Sequence, residues 1–502
     1  MKIFKIYILT IFIVAASACS LEEEPYGFYS EENFLNTPAD AESAISYAYD
    51  ALTFLEYSRT VFLLGDMPTE EAGPKQDASI DRHELNEWTE QNFSTNSSLV
   101  NFFKYAYIAI NRSNYILDLL PSAEFDQDLK DAYLGEAYFL RAWNYFNLVR
   151  NFGQVPMHTS YVQTLDQTAA PLANNLDEVY DLIISDCLTA IDLLGVNQRL
   201  GRADRVAAQS LLAKAYLFIA SAKEHSVPKY VDMSRSVSDM YDSAAFYAGE
   251  ILFNQSQYAM DDNLLDIYDV DQPDGPEHIF IMSMDRSGTI EGDYSKISKL
   301  FIPYVAGGDI YLPDGDGSFT VSHDGWSAFI TNDAFYNSFE AGDLRGELLL
   351  VDAVYDGNGN EVASYPGNGL LYPFTRKYID PEFIGDKTST KPFLIRYTDI
   401  ALVYAEAVGP TTEGYNQVNA IRDRAGLGDL TPGLNITDFR EAIYLERKWE
   451  LAFEGNRLYD LRRFNRVALE VPNASDLSEE ETTFYPLPQV EVNLNKGLGL
   501  EN

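Results

Sequence analysis

The sequence predicts a mainly α protein: a tetratricopeptide-like scaffold of helical pairs with a long irregular loop and short-strand insertion. Three observations point there. Apolar residues recur at helical spacing in two separated stretches, with Leu129, Tyr133, Ala137, Leu140 and Tyr145 in one and Ala207, Leu211, Ala215 and Ile219 in the other. Leu140-x-Ala142-x-x-Tyr145 reappears as Leu211-x-Ala213-x-x-Tyr216, a displacement close to two tetratricopeptide units of about 34 residues each. Between the helical stretches the composition shifts to Gly, Pro and Asp, as in Asp271-Gln272-Pro273-Asp274-Gly275-Pro276 and Pro313-Asp314-Gly315-Asp316-Gly317, which is turn chemistry. With 502 residues and 46% hydrophobic content the chain has ample material for a large core.

The first element is not part of that scaffold. Lys2 and Lys5 precede an apolar run from Ile6 to Ala16, and Ala16-Ser17-Ala18-Cys19 follows. This is the grammar of a secretory signal, and the run is far shorter than the roughly 20 residues a bilayer span needs. The small residues before Cys19 resemble a bacterial lipobox. The expectation is a signal peptide over 1–18, lipidation of Cys19, and a chain anchored to a membrane without crossing it. Glu22-Glu23-Glu24 behind the anchor reads as a surface-export tag or as a solvated tether. Cys187 is then the only thiol left, so packing rather than a disulfide must stabilise the fold.

Two halves follow, 19–265 and 266–502. Helical patterns cover 39–55, 99–120, 128–150, 176–194 and 203–222 in the first. The second opens with the irregular insertion, 266–394, in which Ala353-Val354-Tyr355 and Glu361-Val362 flank a turn at Asp356-Gly357-Asn358-Gly359-Asn360, a hairpin signal. Helices return over 395–470, at 397–408, 414–425, 438–453 and 457–469. Irregular segments on a stiff frame are where binding surfaces usually sit.

Charge and motifs narrow the function. Lys+Arg 36 against Asp+Glu 77 gives a formal net charge of −41, which repels phosphate backbones and excludes nucleic acid as a partner. His83, His158, His225, His278 and His323 are widely spaced, and neither a zinc-type His-Glu-x-x-His, a Gly-x-Ser-x-Gly elbow nor a phosphate-cradling loop is present. No catalytic residues, metal or cofactor are expected. Asp314-x-Asp316-x-Ser318 and Asp356-x-Asn358-x-Asn360 resemble half of a calcium loop but lack its sixth-position Gly and twelfth-position Glu, so turn formation is the better reading.

Aromatic rings are plentiful, with 34 Tyr and 29 Phe but 4 Trp. Trp143 and Trp449 fall inside helical patterns and read as structural. Trp88 and Trp326 fall in polar, turn-rich stretches, the latter near Tyr304 and Tyr311. A sugar stacks its C–H faces on such planes while carboxylates and amides meet its hydroxyls. Trp88, Trp326, Tyr304 and Tyr311 are therefore the expected ligand-binding residues, the alternative being that each ring pins its loop to the scaffold.

Several segments then line up with a known family. Gly135-Glu136-Ala137-Tyr138-Phe139-Leu140-Arg141-Ala142 leads to Phe152-Gly153-Gln154-Val155-Pro156, and Gly201-Arg202-Ala203-Asp204-Arg205 follows. Arg396-Tyr397-Thr398-Asp399 comes next with Tyr404-Ala405-Glu406-Ala407. Last is Glu446-Arg447-Lys448-Trp449-Glu450-Leu451-Ala452-Phe453-Glu454-Gly455-Asn456-Arg457 with Tyr459-Asp460-Leu461-Arg462-Arg463. Taken together the chain resembles the SusD/RagB family, although the Asn-Pro-Gly-Tyr ending common there is missing. The resemblance implies a surface-exposed lipoprotein of the cell outer membrane that binds nutrient oligosaccharide without catalysis. It also implies delivery to a SusC-like TonB-dependent transporter, in the manner of polysaccharide-utilisation systems. Peptide cargo, as in the RagB branch, a surface glycoside hydrolase using two of the acids, and a purely structural adaptor stay open as alternatives. Arg447, Glu450, Glu454 and Arg457 stand three or four residues apart, and the expectation is that they pair along one helical face.

Overall fold

A helix start leaves backbone N–H groups without partners, and a short polar side chain just ahead of it takes them up. The structure, a computed structural model, describes residues 35–196, 200–305 and 308–498. There, α1 (Pro38–Thr53) opens with a reciprocal pair between Thr37 and Asp40. Asn96 caps α2 (Ser97–Leu119), Asp126 caps α3 (Gln127–Phe152) and Asn175 caps α4 (Leu176–Leu193). Asp204 and Ser236 do the same for α5 (Arg205–Glu224) and α6 (Val237–Phe253). Beyond the insertion come α7 (Tyr397–Val408), α8 (Thr412–Arg424, capped by Thr411), α9 (Ile436–Glu450, capped by Asn435) and the short α10 (Arg457–Arg463). The expected signal peptide and Cys19 lie outside the described residues.

From α1 to α8 each helix packs on the one that follows it, with α6 meeting α7 across the insertion. This is the layered, quasi-one-dimensional stacking of a helical-repeat scaffold. The protein is mainly helical, as its periodicity predicted. Nearly every residue of α3 from Gly135 to Phe152 and of α5 from Val206 to Ala222 is buried, which makes these two the central helices. One apolar cluster runs from Leu35 to Tyr485. Cys187 lies within it, and burial raises the pKa of its thiol. Among the described residues no helix is long and apolar enough to cross a membrane.

The insertion is bracketed by a two-stranded pairing of β1 (His278–Ile281) with β6 (Phe393–Arg396). Inside it, β2 (Asp309–Pro313), β3 (Phe319–His323), β4 (Ala353–Tyr355) and β5 (Glu361–Ser364) form a sheet in the order β3-β2-β4-β5. The β4–β5 pair is the hairpin read from the sequence. It closes on Asp356, whose carboxylate accepts the backbone N–H groups of Asn358 (2.8 Å) and Asn360 (2.9 Å). Asp314 likewise accepts from Ser318 and Thr320 and pairs with Arg376. Both half-loops are thus turns, and among the described residues no group of His, Cys, Asp and Glu is placed to hold a metal ion. A small separate core, including Ile302, Leu312, Val354 and Phe374, lies under the sheet.

One expectation fails here. Helix α9 ends at Glu450 rather than at residue 453, and the chain then turns through Phe453 (φ 61°) and Gly455 (φ 74°). Gly455 must be glycine on two counts: its left-handed φ, and the Val61 carbonyl oxygen, which an added Cβ would approach to 2.9 Å; Gly65 is constrained in turn, since a Cβ there would stand 2.2 Å from the Gly455 carbonyl oxygen. Because the helix stops, Arg447, Glu450, Glu454 and Arg457 share no helical face. Arg447 pairs with Asp399 (2.7 Å) and Asp460 (3.0 Å), and Arg457 with Glu70 (2.6 Å) and Glu470 (2.7 Å). Glu450 accepts from Arg396 (2.9 Å), Arg424 (2.7 Å) and Arg345 (3.2 Å), while Glu454 takes Lys377 (2.7 Å) and Arg396 (2.8 Å). Burial alone would raise the Glu450 pKa, but the surrounding guanidinium groups lower it. These are buried charges, each met by several partners, and they tie the turn after α9 to the insertion and to the loop after α1.

Candidate functional site

A tight ribbon in the insertion sets the segments that carry Tyr304 and Trp326 side by side. The backbone N–H groups of Gly325, Trp326, Ser327 and Phe329 donate to the carbonyls of Pro303 (3.0 Å), Lys299 (2.7 Å), Ile302 (3.1 Å) and Leu300 (2.9 Å). The Tyr304 N–H donates to the Ser327 hydroxyl at 3.3 Å. A Cβ on Gly325 would stand 1.9 Å from the Ile302 carbonyl oxygen, so a side chain is incompatible with the ribbon at that position. Pinned this way, Trp326 keeps 37% of its surface exposed and Tyr304 70%.

Cations surround the indole. The Arg59 guanidinium lies 5.8 Å from the Trp326 ring centroid and the Lys296 ammonium 6.0 Å, within cation–π range. Glu291 holds both, through an ion pair with Arg59 and one of 3.6 Å with Lys296. Next to them Tyr294 receives Lys296 at 5.7 Å and Lys387 at 4.6 Å. His323 is buried nearby. Burial and the Lys299 ammonium lower its pKa, so it is neutral at pH 7. Lys299 in turn pairs with Asp386 (2.8 Å) and lowers that carboxyl through a hydrogen bond. The result is an exposed patch of flat rings and N–H donors on a chain that is otherwise strongly acidic. It can stack a pyranose face and donate to its hydroxyls, and the exposed carboxylate of Asp293 supplies an acceptor.

The other two expected residues fare differently. Trp88 is not a loop platform: it is 3% exposed, its indole N–H donates to the Pro68 carbonyl at 2.9 Å, and its ring stacks on Tyr485 at 6.1 Å with Phe93 edge-on at 6.0 Å. The polar neighbours Glu87, Thr89 and Glu90 made the stretch look open, but the large apolar ring gains more from burial than a loop position offers. It pins its loop to the C-terminal segment, the alternative the sequence had left open. Tyr311 is half-buried on β2. Its partners there are Val321 and Tyr355, and its hydroxyl faces the Gly357 turn rather than the Trp326 patch. Sequence reading missed Arg59, Tyr294 and Lys296, which come to Trp326 from two other segments and share no local motif with it.

Two family models match: the SusD family over residues 352–500, and a SusD-like model described as starch-binding, associating with outer membrane, over residues 22–217. SusD-like protein P2 of Formosa agariphila is 26% identical, with 99% of each chain covered. Among solved structures, a SusD homolog from Bacteroides thetaiotaomicron aligns with a TM-score of 0.76 at 21% identity, over 95% of this chain and 99% of that one. A laminarin binding SusD-like protein aligns at 0.72 and 22% identity, over 91% and 98%. At such identities the structural likeness speaks for the fold.

Proposed function

We propose, from the premise that this chain belongs to the SusD family, that it is a surface-exposed outer-membrane lipoprotein that captures nutrient oligosaccharide and passes it to a SusC-like TonB-dependent transporter. The observation that carries the reading is the Trp326–Tyr304 ribbon, with its rings turned outward and Arg59 and Lys296 beside the indole. Binding of this kind draws on stacking and hydrogen bonds and leaves the bonds of the ligand intact. The description of one matching family model as starch-binding, and the laminarin ligand of a structural neighbour, support glycan as the cargo. The lipobox-like Ala16-Ser17-Ala18-Cys19 supports the anchor.

Calorimetric titration against a panel of polysaccharides tests this. At least one member should bind, and Trp326→Ala and Tyr304→Ala should each weaken binding by about tenfold, the order expected for one lost aromatic contact. Unchanged affinity in both variants discards the site. Release of reducing ends on prolonged incubation would instead mark a hydrolase, and binding of peptides with no glycan would move the cargo to peptide.

A further inference from the structure

We propose that the helical half carries a second carbohydrate subsite, in the groove enclosed by α1, α2, the loop after α3 and the C-terminal segment, and that it takes a neutral oligosaccharide segment. The inference rests on the reading of the chain as a glycan binder, but not on Trp326, since neither that residue nor its cationic neighbours line the groove.

The groove encloses about 1130 Å³, above the usual small-ligand range of about 300–1,000 Å³ and large enough for several sugar rings. Its walls are tyrosine. Tyr107 and Tyr115 stand two turns apart on α2, and Tyr161 from the loop packs edge-on to Tyr115 at 5.0 Å. From α1, Tyr47 is 59% exposed, with the Arg112 guanidinium 3.4 Å over its ring.

These rings are held before any ligand arrives. The Tyr107 hydroxyl donates to the Pro156 carbonyl at 2.7 Å, and its ring meets His158 edge-on at 5.7 Å. Arg112 is fixed by the Tyr47 carbonyl (2.6 Å) and Asp50 (3.1 Å). Asn111 clamps the loop at Val162, accepting its N–H at 2.8 Å and donating to its carbonyl at 3.4 Å. A preformed wall spares the ligand the ordering cost that weakens loop-built sites.

Lys104 and Glu491 are placed to meet a guest. Lys104 is exposed on the rim, and among the described residues it enters no ion pair and lies 5.2 Å from the Tyr105 ring. Glu491 lines the groove from the C-terminal segment, with its pKa raised by burial and one carboxyl oxygen accepting from Asn495 at 2.7 Å. A donor and an acceptor on a lining of near-balanced charge suit the hydroxyls of an uncharged sugar. A purely apolar guest would strip water from both without replacing it.

The test is calorimetric titration of the full chain in detergent with defined heptasaccharides of laminarin, starch, xylan and arabinan. The forms compared are the unaltered chain, a Trp326→Ala/Tyr304→Ala chain, and a Tyr47→Ala/Tyr161→Ala chain whose fold is checked by circular dichroism. Two sites per chain are expected for the sugar that binds, with each double variant weakening its own site by about tenfold or more and sparing the other. Lys104→Ala removes only an exposed side chain and should weaken the groove site by about fivefold. One site per chain, with both groove variants unchanged, overturns the groove and leaves the function standing. Loss confined to the groove variants keeps the groove and discards the Trp326 assignment. An unaltered chain that binds none of the four overturns both.

Discussion

Glu71 is a carboxyl in the wrong place for its charge. It is buried beside Asp66 and Glu70; one oxygen accepts the Phe453 N–H at 3.3 Å and the other has no hydrogen-bond partner among the described residues. Burial, reinforced by the Glu70 charge, pushes its pKa up to about 8. The folded chain therefore keeps a proton that the unfolded chain loses in the ordinary carboxylate range, so stability declines as pH rises from that range through about 8. Glu71→Gln keeps an acceptor for Phe453 and removes the titration. Thermal unfolding should show the variant melting above the parent at pH 8.5, with a smaller gain at pH 5, and equal gains at both would contradict the assignment. Trp88 teaches the complementary lesson about rings. Trp88→Ala should lower the unfolding free energy by about 3–5 kcal/mol, the range for emptying a buried aromatic site, while glycan affinity stays at the parent value. Neither residue betrays its burial in the sequence, because their partners Phe453 and Tyr485 lie almost 400 residues away and no local pattern encodes that contact.

At the scale of elements the sequence was far more legible. The helices behind Asp126, Asn175 and Asp204 were readable because periodic apolar runs follow those capping residues, and the β4–β5 hairpin because its turn is built from Asp, Asn and Gly, whereas α6 behind Ser236 went unread. The end of α9 was not, since Leu451, Ala452 and Phe453 continue the apolar pattern while tertiary contacts turn the chain. Gly65 against Gly455, and Asp66 accepting the Gly455 N–H at 3.0 Å, settle that geometry. The acids and bases of the last motif then serve as connectors between elements. Glu450→Ala leaves three buried guanidinium groups short of a partner and should lower unfolding free energy by about 3–5 kcal/mol in a denaturant titration. The proposed ligand patch falls between these extremes. Trp326 and Tyr304 stood out as loop aromatics, whereas the groove tyrosines were hidden inside a helical pattern. Lys104, Tyr107, Asn111 and Tyr115 do recur at three- and four-residue steps, a polar-aromatic stripe along the face of α2 opposite Phe102 and Ala106, with Phe103 packed at its edge 4.8 Å from the Tyr107 ring.

Across the whole molecule, segments distant in sequence are clasped rather than merely adjacent. Arg150 stacks 3.9 Å from the Tyr459 ring centroid, Asn151 donates to the Tyr459 hydroxyl at 2.8 Å, and the Asn151 carbonyl accepts the Tyr485 N–H at 2.7 Å. A shared interior of this kind explains why motifs spread along the chain can belong to one fold. It also explains why the interior is so rich in arginine: Arg345, Arg396, Arg424, Arg447, Arg457 and Arg463 are all buried among carboxylates. Each of those internal pairs cancels, so the net −41 is displayed almost wholly on the outside. Two copies brought face to face repel within the screening distance of about 8 Å at physiological salt. Crowding such molecules on one surface therefore becomes easier as ionic strength rises, and in dilute buffer each copy clears a zone around itself.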